Sequence, residues 1–126
     1  MSKLPLVSVV EDDQFFRESM RRLIRSFGYP VEVFPSAADF LASPRYLETT
    51  CLISDVQMPV MSGLELHKSL VDSGHAIPTI LVTAFPSDID RARAFADGVV
   101  GYMAKPLDET HLKSCLRKAF GSDEDS

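Results

Sequence analysis

Cysteine is scarce in this sequence: Cys51 and Cys115 are the only two in 126 residues. With no secretory signs around them, a disulfide framework is not expected, and both read as small core hydrophobes. Long apolar runs are also missing. No stretch approaches the roughly 20 residues that span a bilayer. Residues 1–5 lack the extended apolar segment of a secretory signal. A cytoplasmic, non-membrane protein is therefore expected. Basic charge is in deficit, with 13 Lys and Arg against 18 Asp and Glu and a net charge of -5. That balance argues against direct nucleic-acid binding. Arg17, Arg21, Arg22 and Arg25, with Glu18 among them, read as a solvated helix face. Internal repeats and low-complexity segments are lacking too. The length suits one domain, expected over residues 1–121. Residues 122–126, carrying Asp123, Glu124 and Asp125, read as an acidic tail or the start of a linker.

What is present is a regular alternation. Apolar, β-branched runs at residues 6–10, 31–34, 51–54, 77–82 and 99–103 read as buried strands. Between them lie helical periodicities with start and stop signals. Asp13 caps a first helix (Phe16, Met20, Leu23, Ile24, Phe27 inward) that Gly28 closes. Ser36 opens a second with Ala37, Phe40 and Leu41, ended by Ser43-Pro44. Ser62 opens a third with Leu64, Leu66, Leu70 and Val71, ended by Gly74. Ser87 opens a fourth that runs to about Ala96. Asp108 opens a fifth with Leu112, Cys115, Leu116, Ala119 and Phe120. Parallel strands need crossover helices, so the expected architecture is a doubly wound, flavodoxin-like α/β sheet of order 2-1-3-4-5 with five helices.

Four of the five strand runs end on a residue suited to phosphoryl chemistry. The first is followed by Glu11 and Asp12, the third by Asp55, the fourth by Thr83, and the fifth, continued through Ala104, by Lys105 and Pro106. In an open parallel sheet the carboxyl ends of the strands share one edge, where ligands bind. Three carboxylates, a hydroxyl and an ammonium would meet there. Such a set suits a divalent cation and a phosphoryl group on an aspartate.

Five stretches then carry a resemblance: Val10-Glu11-Asp12-Asp13, Ser54-Asp55-Val56-Gln57-Met58-Pro59, Met61-Ser62-Gly63-Leu64-Glu65-Leu66, Val82-Thr83-Ala84 and Gly101-Tyr102-Met103-Ala104-Lys105-Pro106. Together, and in this order, the chain resembles the receiver domain of two-component response regulators over nearly its whole length. Residues 36–41 resemble the branch often fused to a helix-turn-helix (LuxR-type) output domain.

The resemblance implies that Asp55 accepts a phosphoryl group from a sensor histidine kinase. It further implies that Asp12 and Asp55 bind Mg²⁺ directly, with Glu11 acting through a water and Gln57 through its backbone carbonyl. Lys105 would pair with the phosphoryl group, and Thr83 would hydrogen-bond to it. Tyr102 would follow Thr83, reshaping the surface of the fourth helix, fifth strand and fifth helix for an output domain or a homodimer. Asp90, Arg91, Arg93, Asp97 and Asp108 are candidate contacts there, or a solvated face.

Glu11 stands where aspartate is more usual. Gln57 and Phe85 lie two residues beyond Asp55 and Thr83, where the family tunes phosphoryl lifetime. Phe85 is expected to hinder water and to prolong that lifetime. Two alternatives use the same residues: a pseudo-receiver that binds without phosphorylation, and an aspartate-nucleophile phosphatase of the haloacid-dehalogenase type. In the phosphatase the nucleophile follows the first strand with a second acid two residues on. Here Asp55 follows the third and is paired with Gln57.

Overall fold

The computed structural model describes residues 5–121; the acidic tail expected at 122–126 lies outside them. In chain order the elements are β1 (Leu6–Val10), α1 (Gln14–Ser26), β2 (Val31–Phe34), α2 (Ala37–Ala42), a 3₁₀ turn (Pro44–Glu48), β3 (Thr49–Asp55), α3 (Gly63–Asp72), β4 (Thr79–Thr83), α4 (Asp88–Ala96), β5 (Gly101–Ala104) and α5 (Glu109–Phe120). All strand pairings are parallel, in the order β2-β1-β3-β4-β5. This is the expected doubly wound sheet.

Each helix starts where a short polar side chain replaces the missing backbone acceptor. Asp13, Ser36, Ser87 and Asp108 each accept a backbone N–H of the helix they precede. Ser62 and Glu65 form a reciprocal capping box at α3. Asp108, a candidate partner contact from sequence, is thus the cap of α5.

Side chains alternate across the sheet, which divides the core. Val7, Val9, Cys51, Ile53, Ile80, Val82 and Met103 pack beneath α1 and α5. Val10 and Leu52 pack with Phe40 of α2 and Leu66 and Leu70 of α3, while Leu81 and Tyr102 pack with Ala94 of α4. Both cysteines lie buried with free thiols, and burial pushes both thiols up from their ordinary pKa.

Four elements depart from expectation. β3 begins at Thr49 rather than residue 51, because the Thr49 and Ser8 hydroxyls pair at 2.6 Å inside the sheet. β4 and β5 begin two residues later than the apolar runs do. In α3 the buried face is Gly63, Leu66, His67 and Leu70, at helical spacing, and Val71 is turned outward.

Candidate functional site

Strand register assembles the site before any side chain is considered. Val10 pairs with Ser54, Asp55 with Val82, and Thr83 with Ala104. The next residues along β1 and β5, Glu11 and Lys105, therefore emerge beside the end of β3 and Asp55.

Lys105 Nζ donates to Glu11 Oε1 at 3.1 Å and to Asp55 Oδ2 at 3.2 Å. Glu11 and Asp55 are both buried, whereas Asp12 is exposed. Glu11, Asp12 and Asp55 each offer one carboxylate oxygen, all within 4.8 Å of one another. Burial pushes Glu11 up to about 7. The Asp13 amide and Lys105 pull it down, but the negative Asp55 adds to the rise. Burial also works against the charge on Lys105, yet its bonds to Glu11 and Asp55 outweigh that and hold its pKa above the ordinary lysine value. Three carboxylates facing one ammonium leave negative charge uncompensated. Hard oxygen donors at this spacing, with Asp12 open to solvent, fit a small hydrated divalent cation.

The remaining expected residues surround this centre. Gln57 links two of them: its backbone N–H donates to Asp55 Oδ1 at 3.2 Å, and its side-chain Oε1 accepts from the Thr83 hydroxyl at 2.6 Å. Thr83 is fully buried, and its oxygen also accepts the Phe85 N–H at 2.9 Å. Tyr102 stands apart from the carboxylates. Its ring is buried against Leu81, Ala94 and Val99, and its hydroxyl accepts the Ser87 N–H at 3.1 Å. The Lys105–Pro106 peptide is cis. Phe85 is 71% exposed.

Sequence reasoning passed over several contributors. Arg17, expected on a solvated face, donates to the Glu11 carbonyl at 2.8 Å. Phe16, expected only as core, lies under Lys105 with its ring centroid 4.1 Å from Nζ. Gly63 packs so tightly against β3 that any Cβ would collide with the Asp55 carbonyl oxygen. Only Gly63 carried a sequence signal, as part of the stretch at residues 61–66 that bears the family resemblance.

Comparison with known proteins agrees with this geometry. Residues 7–117 match the family described as response regulator receiver domain. Response regulator protein TmoT of Ectopseudomonas mendocina is 36% identical over 116 residues, covering 91% of this chain and 52% of that protein. Transcriptional regulatory protein FixJ of Azorhizobium caulinodans is 34% identical over 115 residues, covering 91% and 54%. The chain thus spans about half the length of these curated relatives. The crystal structure of FixJ-N superposes with a TM-score of 0.84 at 28% identity, covering 96% of each chain. Among the described residues no helix is long and apolar enough to cross a membrane. On the match of its sequence, its sheet order and its acidic strand-end cluster, the chain belongs to the receiver domain family of two-component response regulators.

Proposed function

We propose that Asp55 is the phosphoacceptor of this receiver domain and that residues 1–121 form the phosphoacceptor unit. The observation that carries the reading is the double contact of Lys105 Nζ with Glu11 and Asp55. It fixes an ammonium beside one carboxylate oxygen of Asp55, where the charge of a transferred phosphoryl group would develop.

Asp12, Asp55 and the Gln57 backbone carbonyl would hold Mg²⁺, with Glu11 acting through a water. When bound, Mg²⁺ neutralises charge on the transferring group. An Asp55 oxygen attacks the phosphorus of a phosphohistidine on a sensor kinase. The phosphorus–nitrogen bond breaks, the imidazole leaves, and an acyl phosphate remains. Such transfer depends on positioning and electrostatics. Lys105 stays paired with the new anion, while the Thr83 hydroxyl leaves Gln57 and donates to a phosphoryl oxygen. In this reading the chain assists its own phosphorylation and is a switch rather than a turnover enzyme.

The output follows from how Thr83 is tethered. Its oxygen holds the Phe85 N–H, so moving Thr83 pulls the segment leading to Ser87, whose N–H bonds Tyr102. Arg91 of α4 donates to the Tyr102 carbonyl at 3.4 Å. This network couples the acceptor to the α4–β5–α5 surface, where Ile89 is 80% exposed. An output domain or a second copy would engage that surface inside the cytoplasm. The test is mass spectrometry after incubation with acetyl phosphate and Mg²⁺. A single phosphoryl adduct on the wild-type chain that disappears in Asp55→Asn is expected. An equal adduct on Asp55→Asn would end the assignment.

A further inference from the structure

We propose that Phe16 is a positioning residue for phosphoryl transfer, its ring face fixing the Lys105 ammonium independently of the acidic residues. The proposal rests on Asp55 being the acceptor and names a residue that acts on the site through Lys105.

An ammonium carries three N–H donors and no acceptor. Two directions from Lys105 Nζ are taken by Glu11 Oε1 and Asp55 Oδ2. The Phe16 ring lies on a further side, with its centroid 4.1 Å from the nitrogen. That distance is well inside the range in which the negative face of an aromatic ring attracts a cation. The lysine side chain is only 17% exposed, so little water competes.

The ring itself is held firmly. Phe16 is partly buried and packs against the core cluster containing Met20 and Ile24 of the same helix. The helix start is fixed by the Asp13 cap, and Arg17 ties the next residue to the Glu11 carbonyl. The adjacent Phe15 is 87% exposed and makes no such contact with Lys105.

The three supports differ in what happens during transfer. Glu11 and Asp55 are the residues whose charge is shared with a cation, and Asp55 itself becomes the acyl phosphate. Their hold on Lys105 must therefore change as the reaction proceeds. The ring neither titrates nor reacts, so it supplies the constant part of the hold. An aliphatic side chain of similar volume would fill the space without attracting the ammonium.

The test uses the whole chain with para-fluoro-, difluoro- and pentafluorophenylalanine at position 16, beside Phe16→Leu, Phe16→Tyr and the control Phe15→Leu. Fluorination drains the ring face of negative charge with little change of shape. In the metal-free wild type, the Lys105 Hε resonances should lie upfield of ordinary lysine, as protons over a ring face do. Phe16→Leu should remove that displacement. At saturating Mg²⁺, the rate of labelling by phosphoramidate should fall about three- to tenfold in Phe16→Leu and stepwise along the fluorinated series. Phe16→Tyr and Phe15→Leu should keep the wild-type rate. Ordinary Lys105 shifts in the wild type, or equal rates across the fluorinated series, would overturn the proposal even if Phe16→Leu does not fold. A wild-type chain that never labels would instead sink the assignment of Asp55, with the resonance shifts still deciding whether the ring holds the lysine.

Discussion

The Thr83 hydroxyl donates to Gln57 Oε1 at 2.6 Å, so the group expected to greet a phosphoryl oxygen is already engaged. Switching must exchange this hydrogen bond for another. A neutral hydrogen bond contributes about 1 kcal/mol net. Gln57→Leu keeps the bulk and removes the acceptor, while the Phe85 N–H still satisfies the Thr83 oxygen. The phosphorylated fraction at fixed acetyl phosphate should rise by about fivefold in the corresponding equilibrium constant. Phosphate-affinity gel separation would measure it, and an unchanged fraction would mean that the Gln57 bond does not restrain Thr83.

Glu11 makes the metal-free protein sensitive to pH. Burial raises its carboxyl from 4.5 to about 7, so the folded chain holds a proton that the unfolded chain has lost. Stability from this group is complete below 4.5 and is lost as pH climbs toward 7. The urea midpoint of metal-free protein should therefore fall across that window. Glu11→Gln should flatten the fall, since the amide does not titrate. Saturating Mg²⁺ should oppose it, because a cation favours the ionised carboxylate. A slope identical in Glu11→Gln and wild type would place the titrating group elsewhere.

Gly63 occupies its position for want of a side chain. Its added Cβ would meet the Asp55 carbonyl oxygen, and the Leu81 Cδ2 and Ser54 Oγ atoms would each lie 3.0 Å away. The first of these is backbone of the very residue that carries the site. Relief requires moving α3 away from β3 or shifting Asp55. Gly63→Ala should cost roughly 1–3 kcal/mol in urea denaturation, although alanine favours helices over glycine. It should also slow phosphoryl acceptance at temperatures where the variant remains folded. Wild-type stability in Gly63→Ala would show that the two elements separate freely.

Much of this was legible from residues alone, for a specific reason. Glu11, Asp12, Asp55, Thr83 and Lys105 lie at or just past strand ends, and parallel topology sends strand ends to one edge whatever the loops do. Contacts that depend on side-chain direction were not legible. Gln57 reaches Thr83 across 26 positions, and Phe16 on α1 meets Lys105 just past β5, contacts that periodicity does not encode. Polar residues inside strands were lost for another reason. Thr49 and Ser8 satisfy each other by a hydrogen bond, so β3 starts two residues before its apolar run does. His67 was passed over in the same way. It takes a core position on α3, where burial holds its pKa below the usual histidine value.

Val60 shows strain that sequence gave no reason to expect. Its φ is 72°, a region that β-branched side chains avoid. The Met61 N–H bonds the Pro59 carbonyl at 2.8 Å around it, giving a three-residue turn of the rarer, strained hand. The side chain is fully exposed, so packing returns nothing for the conformation. Strain of this kind costs about 1–3 kcal/mol. Glycine adopts a positive φ freely, but loses roughly 0.5–1 kcal/mol of extra chain entropy on folding. The balance favours Val60→Gly, which should raise stability by about 1 kcal/mol. The turn lies between Asp55 and α3, outside the groups that touch the acceptor. Labelling of Asp55 by acetyl phosphate should therefore stay within about twofold of wild type, since no acceptor contact is removed. A lower melting temperature for Val60→Gly would mean that the valine is held by contacts stronger than its strain.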